Sequence, residues 1–128
     1  MYKPALTAGC IFGALAVILG AFGAHALKAI LPPDQILVFE TGVRYEFYHA
    51  FALIAAGIIY RSFPFKPIRS ATTFFIIGIA LFCGSLYAMT LLSTTGKSLG
   101  PIGVITPIGG LCFIIGWVLL ALGIMKKN

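Results

Sequence analysis

Ionisable side chains are densest in Glu40-Thr-Gly-Val-Arg44-Tyr45-Glu46-Phe-Tyr48-His49, a polar stretch set in an apolar chain. On a helix, Glu40, Arg44 and Tyr48 stand four apart and share one face, while Thr41, Tyr45 and His49 share another. Glu40 ahead of Arg44 is the favourable order for an ion pair. An arginine can clamp an anionic group through paired hydrogen bonds, and a histidine changes charge near neutral pH. The chemistry on offer is recognition of a small anion or lipid headgroup, or a proton relay.

Other chemistries find little support. Gly96-Lys97-Ser98 echoes a phosphate loop, but Leu91 stands where the earlier glycine belongs. His25 and His49 are isolated, with no nearby Cys or HxxxH spacing, so no metal site is expected. Ser85 lacks a Gly-x-Ser-x-Gly setting, and no nucleophile–base pair or carboxylate dyad is visible. The expectation is a non-enzymatic protein without cofactors. Cys10, Cys83 and Cys112 lie in apolar runs, cannot all pair, and read as small buried hydrophobes.

The elements that must position these residues follow from composition. The 128-residue chain is 60% hydrophobic and 9% charged, against roughly 25% charged in soluble domains. A soluble chain this short buries only about two-thirds of its surface, so the medium that suits it is lipid. A net charge of +6 does not indicate nucleic acid, because the bases flank apolar runs instead of clustering on a polar face.

The first run, 5–27, spans roughly 34 Å, enough to cross a ~30 Å hydrocarbon core. Ala24-His25-Ala26 resembles a signal-cleavage site, but the run is long for a signal and three more apolar segments follow. Cys10 lacks the context of a lipoprotein cysteine, since Thr7 stands where leucine belongs. Pro32-Pro33 stop the first helix and Asp34 can cap the next. Segment 34–43 is too polar to span and is assigned to the interface. Further spans are expected at 44–61, 70–92 and 107–125, with Thr106 capping the last. The fold class is an all-α, four-transmembrane-helix bundle with a short interfacial helix between helices 1 and 2, forming one domain over 1–128.

Close helix packing in lipid needs small residues. Ala5, Gly9 and Gly13, then Ala16, Gly20 and Ala24, supply them on the first helix. Ala80, Gly84 and Ala88 do so on the third, and Gly109, Gly116 and Gly123 on the fourth. Packing within one chain is the favoured use of these stripes, with a homo-oligomer as the other. Four crossings would put Lys3, Arg61, Lys66, Arg69, Lys126 and Lys127 on one side with no acid. The other side would hold Lys28, Arg44 and Lys97 with Asp34, Glu40 and Glu46. The positive-inside rule then places both termini in the cytoplasm.

Depth links the reactive residues. His25 lies near the outer end of helix 1, His49 about 7 Å deep and Ser85 about 10 Å, with Tyr87 a turn away. The candidate polar pocket is therefore His25, Glu40, Arg44, Tyr45, Tyr48, His49 and Ser85, gathered in the outer half. Two readings stand: interfacial anchors with hydrogen-bonded histidines, or a binding or proton site centred on Arg44 and His49.

Gly20-Ala-Phe-Gly-Ala-His25-Ala-Leu-Lys28, Thr41-Gly-Val-Arg-Tyr-Glu-Phe-Tyr-His-Ala50, Gly84-Ser-Leu-Tyr87, and Ile105-Thr-Pro-Ile-Gly-Gly110 with Gly116-Trp117 occur in this order. Together they resemble the YgdD/YwdK-like family of small bacterial membrane proteins, a domain of unknown function. Glu46 stands where relatives often carry an uncharged residue such as Gln. The resemblance implies a four-helix inner-membrane protein and brings no activity or substrate. The functional expectation is binding of a small anionic ligand or lipid headgroup among membrane lipids, or support of another membrane protein. The alternative is a small oligomeric transporter or proton-coupled channel.

Overall fold

A computed structural model describes residues 1–97 and 100–126 of the chain. Four long helices make up the fold. Helix α1 is Lys3–His25, followed by a single 3-10 turn at Leu27–Ala29. Helix α2 is Pro33–Ile59, α3 is Lys66–Ser93, and α4 is Ile102–Met125. Helix α3 widens into a π-helical turn at Ile79–Cys83. No strand occurs among the described residues.

Three stretches are long and apolar enough to cross a membrane: Lys3–Ala29, Lys66–Ser93 and Ile102–Met125. Helix α2 is as long as these, but it carries Asp34, Glu40, Arg44 and Glu46.

Two expected boundaries move. No separate interfacial helix covers 34–43; those residues are the first turns of α2. Pro32 is the extended N-cap and Pro33 the first helical residue, where a fixed φ and a missing N–H cost nothing. Asp34 makes no capping bond. Ile36, Phe39 and Gly42 are buried, so packing carries the helix through this polar stretch. Helix α4 begins at Ile102, ahead of residue 107, and Pro107 falls inside it. Thr106 is therefore not a cap and points its hydroxyl at Ser85.

Neighbouring helices run antiparallel. Gly9 of α1 lies on Ala50 and Ile54 of α2, and Gly23 on Phe39. Gly42 of α2 lies on the Tyr87 ring of α3. Gly109, Gly116 and Gly123 of α4 meet Phe82, Phe75 and Ile68 of α3, so seven-residue steps on both helices interlock. A Cβ on Gly116 would stand 2.6 Å from the Phe75 ring. The expected α4 stripe thus closes within one chain. The Ala80-Gly84-Ala88 row does not: Ala80 is exposed and nothing lies within 4 Å of a Cβ on Gly84. On α1 the buried set is Ala5, Gly9, Ala16 and Gly23, while Ala24 is exposed.

The main core gathers Leu53, Ile68, Phe75, Cys83 and Phe113. A second cluster of Leu27, Leu31, Ile36 and Phe39 seals the α1–α2 turn. Of the three cysteines only Cys83 is buried; Cys112 is half-buried and Cys10 exposed. The expected role as a buried hydrophobe therefore holds for Cys83 and fails for Cys10, which faces away from α2.

This packing sets two glycines apart. Gly109 touches the Phe82 backbone, which cannot swing aside as a side chain would. We expect Gly109→Ala to cost about 1–3 kcal/mol through overpacking, read as a lowered unfolding temperature in detergent. Gly84→Ala should leave that temperature unchanged or raise it, gaining up to about 1 kcal/mol of helix propensity.

Candidate functional site

Helix α2 is packed on α1 and α3 and reaches α4 through His49 and Tyr45, so its side chains decide what chemistry lies inside the bundle. His49 is only 4% exposed. Its Nδ1 lies 2.7 Å from the Tyr45 carbonyl oxygen. Its Nε2 lies 3.1 Å from Trp117 Nε1 on α4. A carbonyl only accepts and an indole N–H only donates, so Nδ1 carries the proton and Nε2 receives the Trp117 bond. Both ring nitrogens are thereby used. The imidazole also stacks on Phe113, with centroids 3.5 Å apart and planes 9° apart, and packs against Phe75 at 5.5 Å.

Beside this pair a groove of about 560 Å³ runs between α2, the π turn of α3 and α4. Tyr45, Phe82, Phe113 and Trp117 form its aromatic walls, and Gly110 leaves space along one side. Tyr45 packs on Phe82 at 4.8 Å and meets Tyr48 edge-on at 5.7 Å. Widened turns of this kind recur at functional sites. Here the π turn carries Phe82 into the groove wall.

Two ionisable groups lie near the middle of α2. Because α2 starts at Pro33, His49 lies about 24 Å along a helix of about 40 Å. It stands just past the middle of that helix. Glu46, one turn away, is also 4% exposed. The Tyr87 hydroxyl donates to its Oε1 over a long 3.4 Å. Its Oε2 is buried with no partner among the described residues. Leaving a buried acceptor unpaired costs about 1–3 kcal/mol.

The seven residues expected in one pocket do not share one. Arg44, Tyr45, Tyr48 and His49 follow each other around α2, with Arg44 and Tyr48 exposed and His49 buried. Glu40 and Arg44 line a crevice of about 260 Å³ against Gly20 and Gly23 of α1. Their expected ion pair does not form; Arg44 Nη2 donates to Thr41 Oγ1 at 3.3 Å. An exposed pair four apart gains only about 0.3–0.5 kcal/mol, too little to hold two long side chains together. Ser85 is buried and ties α3 to α4, lying 2.5 Å from Thr106 Oγ1 and donating to the Phe82 carbonyl at 2.9 Å. His25 is exposed at the end of α1 and lines none of these cavities.

Glu46, Trp117, Phe113 and Phe82 are the additions. Glu46 carried a readable signal, a carboxyl within a helix of a lipid-suited chain. The aromatic partners carried none, because nothing local says which helix they face. Among the described residues no three His, Cys, Asp or Glu side chains gather as a metal site would require.

The family model "Protein of unknown function (DUF423)" matches residues 19–110. The "UPF0382 membrane protein YwdK" of Bacillus subtilis is 40% identical over 97% of this chain and 98% of its own length. A "UPF0382 membrane protein" of Haemophilus influenzae is 38% identical over 100% and 98%. The "UPF0382 inner membrane protein YgdD" of Escherichia coli is 30% identical over 91% and 85%. No solved structure matches the chain.

Two substitutions test this geometry. Trp117→Phe keeps the ring but strands His49 Nε2, and should cost about 1–3 kcal/mol in thermal unfolding. Glu46→Gln keeps the shape without a carboxyl and should leave stability unchanged or higher. A clear loss would mean that the carboxyl itself is used in the fold.

Proposed function

This integral membrane protein belongs to the DUF423 family, and from that premise we propose that it holds a membrane lipid without catalysing a reaction. It crosses the inner membrane four times, α2 being the fourth span, with both termini in the cytoplasm. The lipid's anionic headgroup sits at Arg44, and its chain runs over Tyr48 and Tyr45 into the α2–α3–α4 groove.

Topology draws support from charge. Arg69 lies over Tyr2 and Lys126 over Phe65, so both chain ends, the α2–α3 turn and the start of α3 meet at one end. Lys127 lies outside the described residues. The acids Asp34 and Glu40 lie in the first turns of α2, toward the other end, and Glu46 lies at its middle. The positive-inside rule assigns the basic end to the cytoplasm. Antiparallel packing along its whole length carries α2 across between α1 and α3.

The groove is the observation that carries the binding reading. It opens sideways, with Trp117 47% and Leu111 56% exposed, and in a bilayer an apolar slot at mid-height is filled by hydrocarbon. Arg44, whose one hydrogen-bond partner among the described residues is Thr41, can take a phosphate through charge-assisted hydrogen bonds. A non-enzymatic role fits His49, whose nitrogens are both occupied and cannot serve as a base. A second reading, a small oligomeric transporter or proton-coupled channel, rests on Glu46, since ionisable groups at such depth commonly mark ion paths.

Trp117 is the single tryptophan and reports on the groove. Protein reconstituted with chain-brominated phospholipids should show strong Trp117 quenching. Gly110→Leu, whose side chain would enter the groove, should weaken it severalfold. Arg44→Ala should lower the amount of co-purified lipid, and Lys97→Ala should not. Equal quenching in wild type and Gly110→Leu would remove the groove from the proposal. Proton flux that Glu46→Gln abolishes would favour the transporter.

A further inference from the structure

At the end of the bundle opposite Glu40, a second cavity of about 530 Å³ opens among Tyr2, Tyr60, Lys66, Arg69, Ser70 and Thr73. Its walls come from three places: the N-terminal residues, the end of α2 and the first turns of α3. The N-terminus is fixed there, because the Tyr2 amide donates to the Gly57 carbonyl at 2.9 Å. The Tyr2 ring packs on Tyr60 with centroids 5.5 Å apart. The Arg69 guanidinium sits 5.3 Å from the Tyr2 ring centroid, a cation–π contact that positions it without neutralising it.

Among the described residues this charge meets no acidic side chain. Of the chain's three acids, Asp34 and Glu40 lie in the first turns of α2, toward the other end, and Glu46 stands at its middle. Lys66 opens α3, which has no side-chain cap, so the positive end of the helix dipole adds to the field. Two cations, hydroxyls from Ser70 and Thr73, and two tyrosines make a polar basin on an otherwise apolar molecule. It is roomy enough for a phosphate with its glycerol.

We propose that this cleft holds the phosphate of an anionic phospholipid from the cytoplasmic leaflet. Arg69 and Lys66 take the phosphate oxygens, and the tyrosine rings lie at headgroup level, where such amphipathic rings are favoured. Anionic lipid is concentrated in that leaflet, and basic pockets between membrane helices on that side suit it. The choice of leaflet rests on the orientation proposed above; the cleft and its charge do not. This site is distinct from the Arg44 crevice, which lies at the opposite end.

The test uses full-length protein in detergent carrying Arg44→Ala and Gly110→Leu, so that the other lipid site cannot contribute. Short-chain phosphatidylglycerol, phosphatidylcholine of the same chain length, and inorganic phosphate are titrated while binding is read by native mass spectrometry. Phosphatidylglycerol should bind, and the added pair Lys66→Gln and Arg69→Gln should weaken it roughly tenfold or more. Thr73→Phe, which fills the cleft without changing charge, should also weaken it. Arg61→Gln with Lys126→Gln removes the same charge at the same end outside the cleft, and should leave binding within about twofold. Equal losses in the two charge pairs would overturn the site in favour of a diffuse basic surface. Equal affinity for phosphatidylcholine would overturn charge recognition. Inorganic phosphate binding as tightly as the lipid would overturn the lipid assignment.

Discussion

Helices in lipid cannot be driven together by apolar burial, since the surrounding chains are as apolar as leucine. Their association depends on how closely backbones approach and how many atoms touch. Here that contact is made by large side chains seated on glycines of the next helix. Phe39 lies on Gly23, Tyr87 on Gly42, Phe113 on Gly78, and Phe75 on Gly116. Each seat leaves no room for a Cβ, so rotation and register of neighbouring helices are set together.

The polar interior follows from that seating. With Tyr87 on Gly42, its hydroxyl reaches Glu46 one turn along α2. With Phe113 on Gly78, the same ring becomes the stacking partner of His49, and Trp117, a turn further on, meets the imidazole. His49 is thus bound into the packing from two helices. Glu46 is enclosed beside it with one oxygen unmatched. The bundle is asymmetric along its length: Asp34 and Glu40 lie toward one end, and the bases Lys66, Arg69 and Lys126 at the other.

Much of the fold was legible. Gly109, Gly116 and Gly123 at seven-residue steps announced a packing face, and they form one against α3. Pro32-Pro33 marked a helix start, though the helix they begin runs unbroken through the stretch read as interfacial, because Ile36, Phe39 and Gly42 pack inward. Ala80-Gly84-Ala88 had the same small-residue signature, yet Ala80 is exposed and Gly84 faces open space, since composition does not say which way a face turns. The candidate site was legible in parts. Arg44, Tyr45, Tyr48 and His49 are consecutive around α2, as helical spacing required. Ser85 and His25 were grouped with them by depth alone, and depth says nothing about facing. Glu46 is more deeply buried than Arg44, a difference that helical spacing alone does not reveal.

What the sequence by itself determined is the solvent, the helical class and the separation of charge along the chain, because these depend on composition and on near-neighbour spacing. Only the tertiary structure decided that His49 bonds Trp117, that Ser85 meets Thr106, and that Glu46 lies closed in near mid-height. Those pairings are separated by tens of residues, and they depend on each helix's rotation about its own axis and its slide past its neighbours. No local pattern specifies either quantity. The simultaneous fit of rings onto glycines across all four helices does.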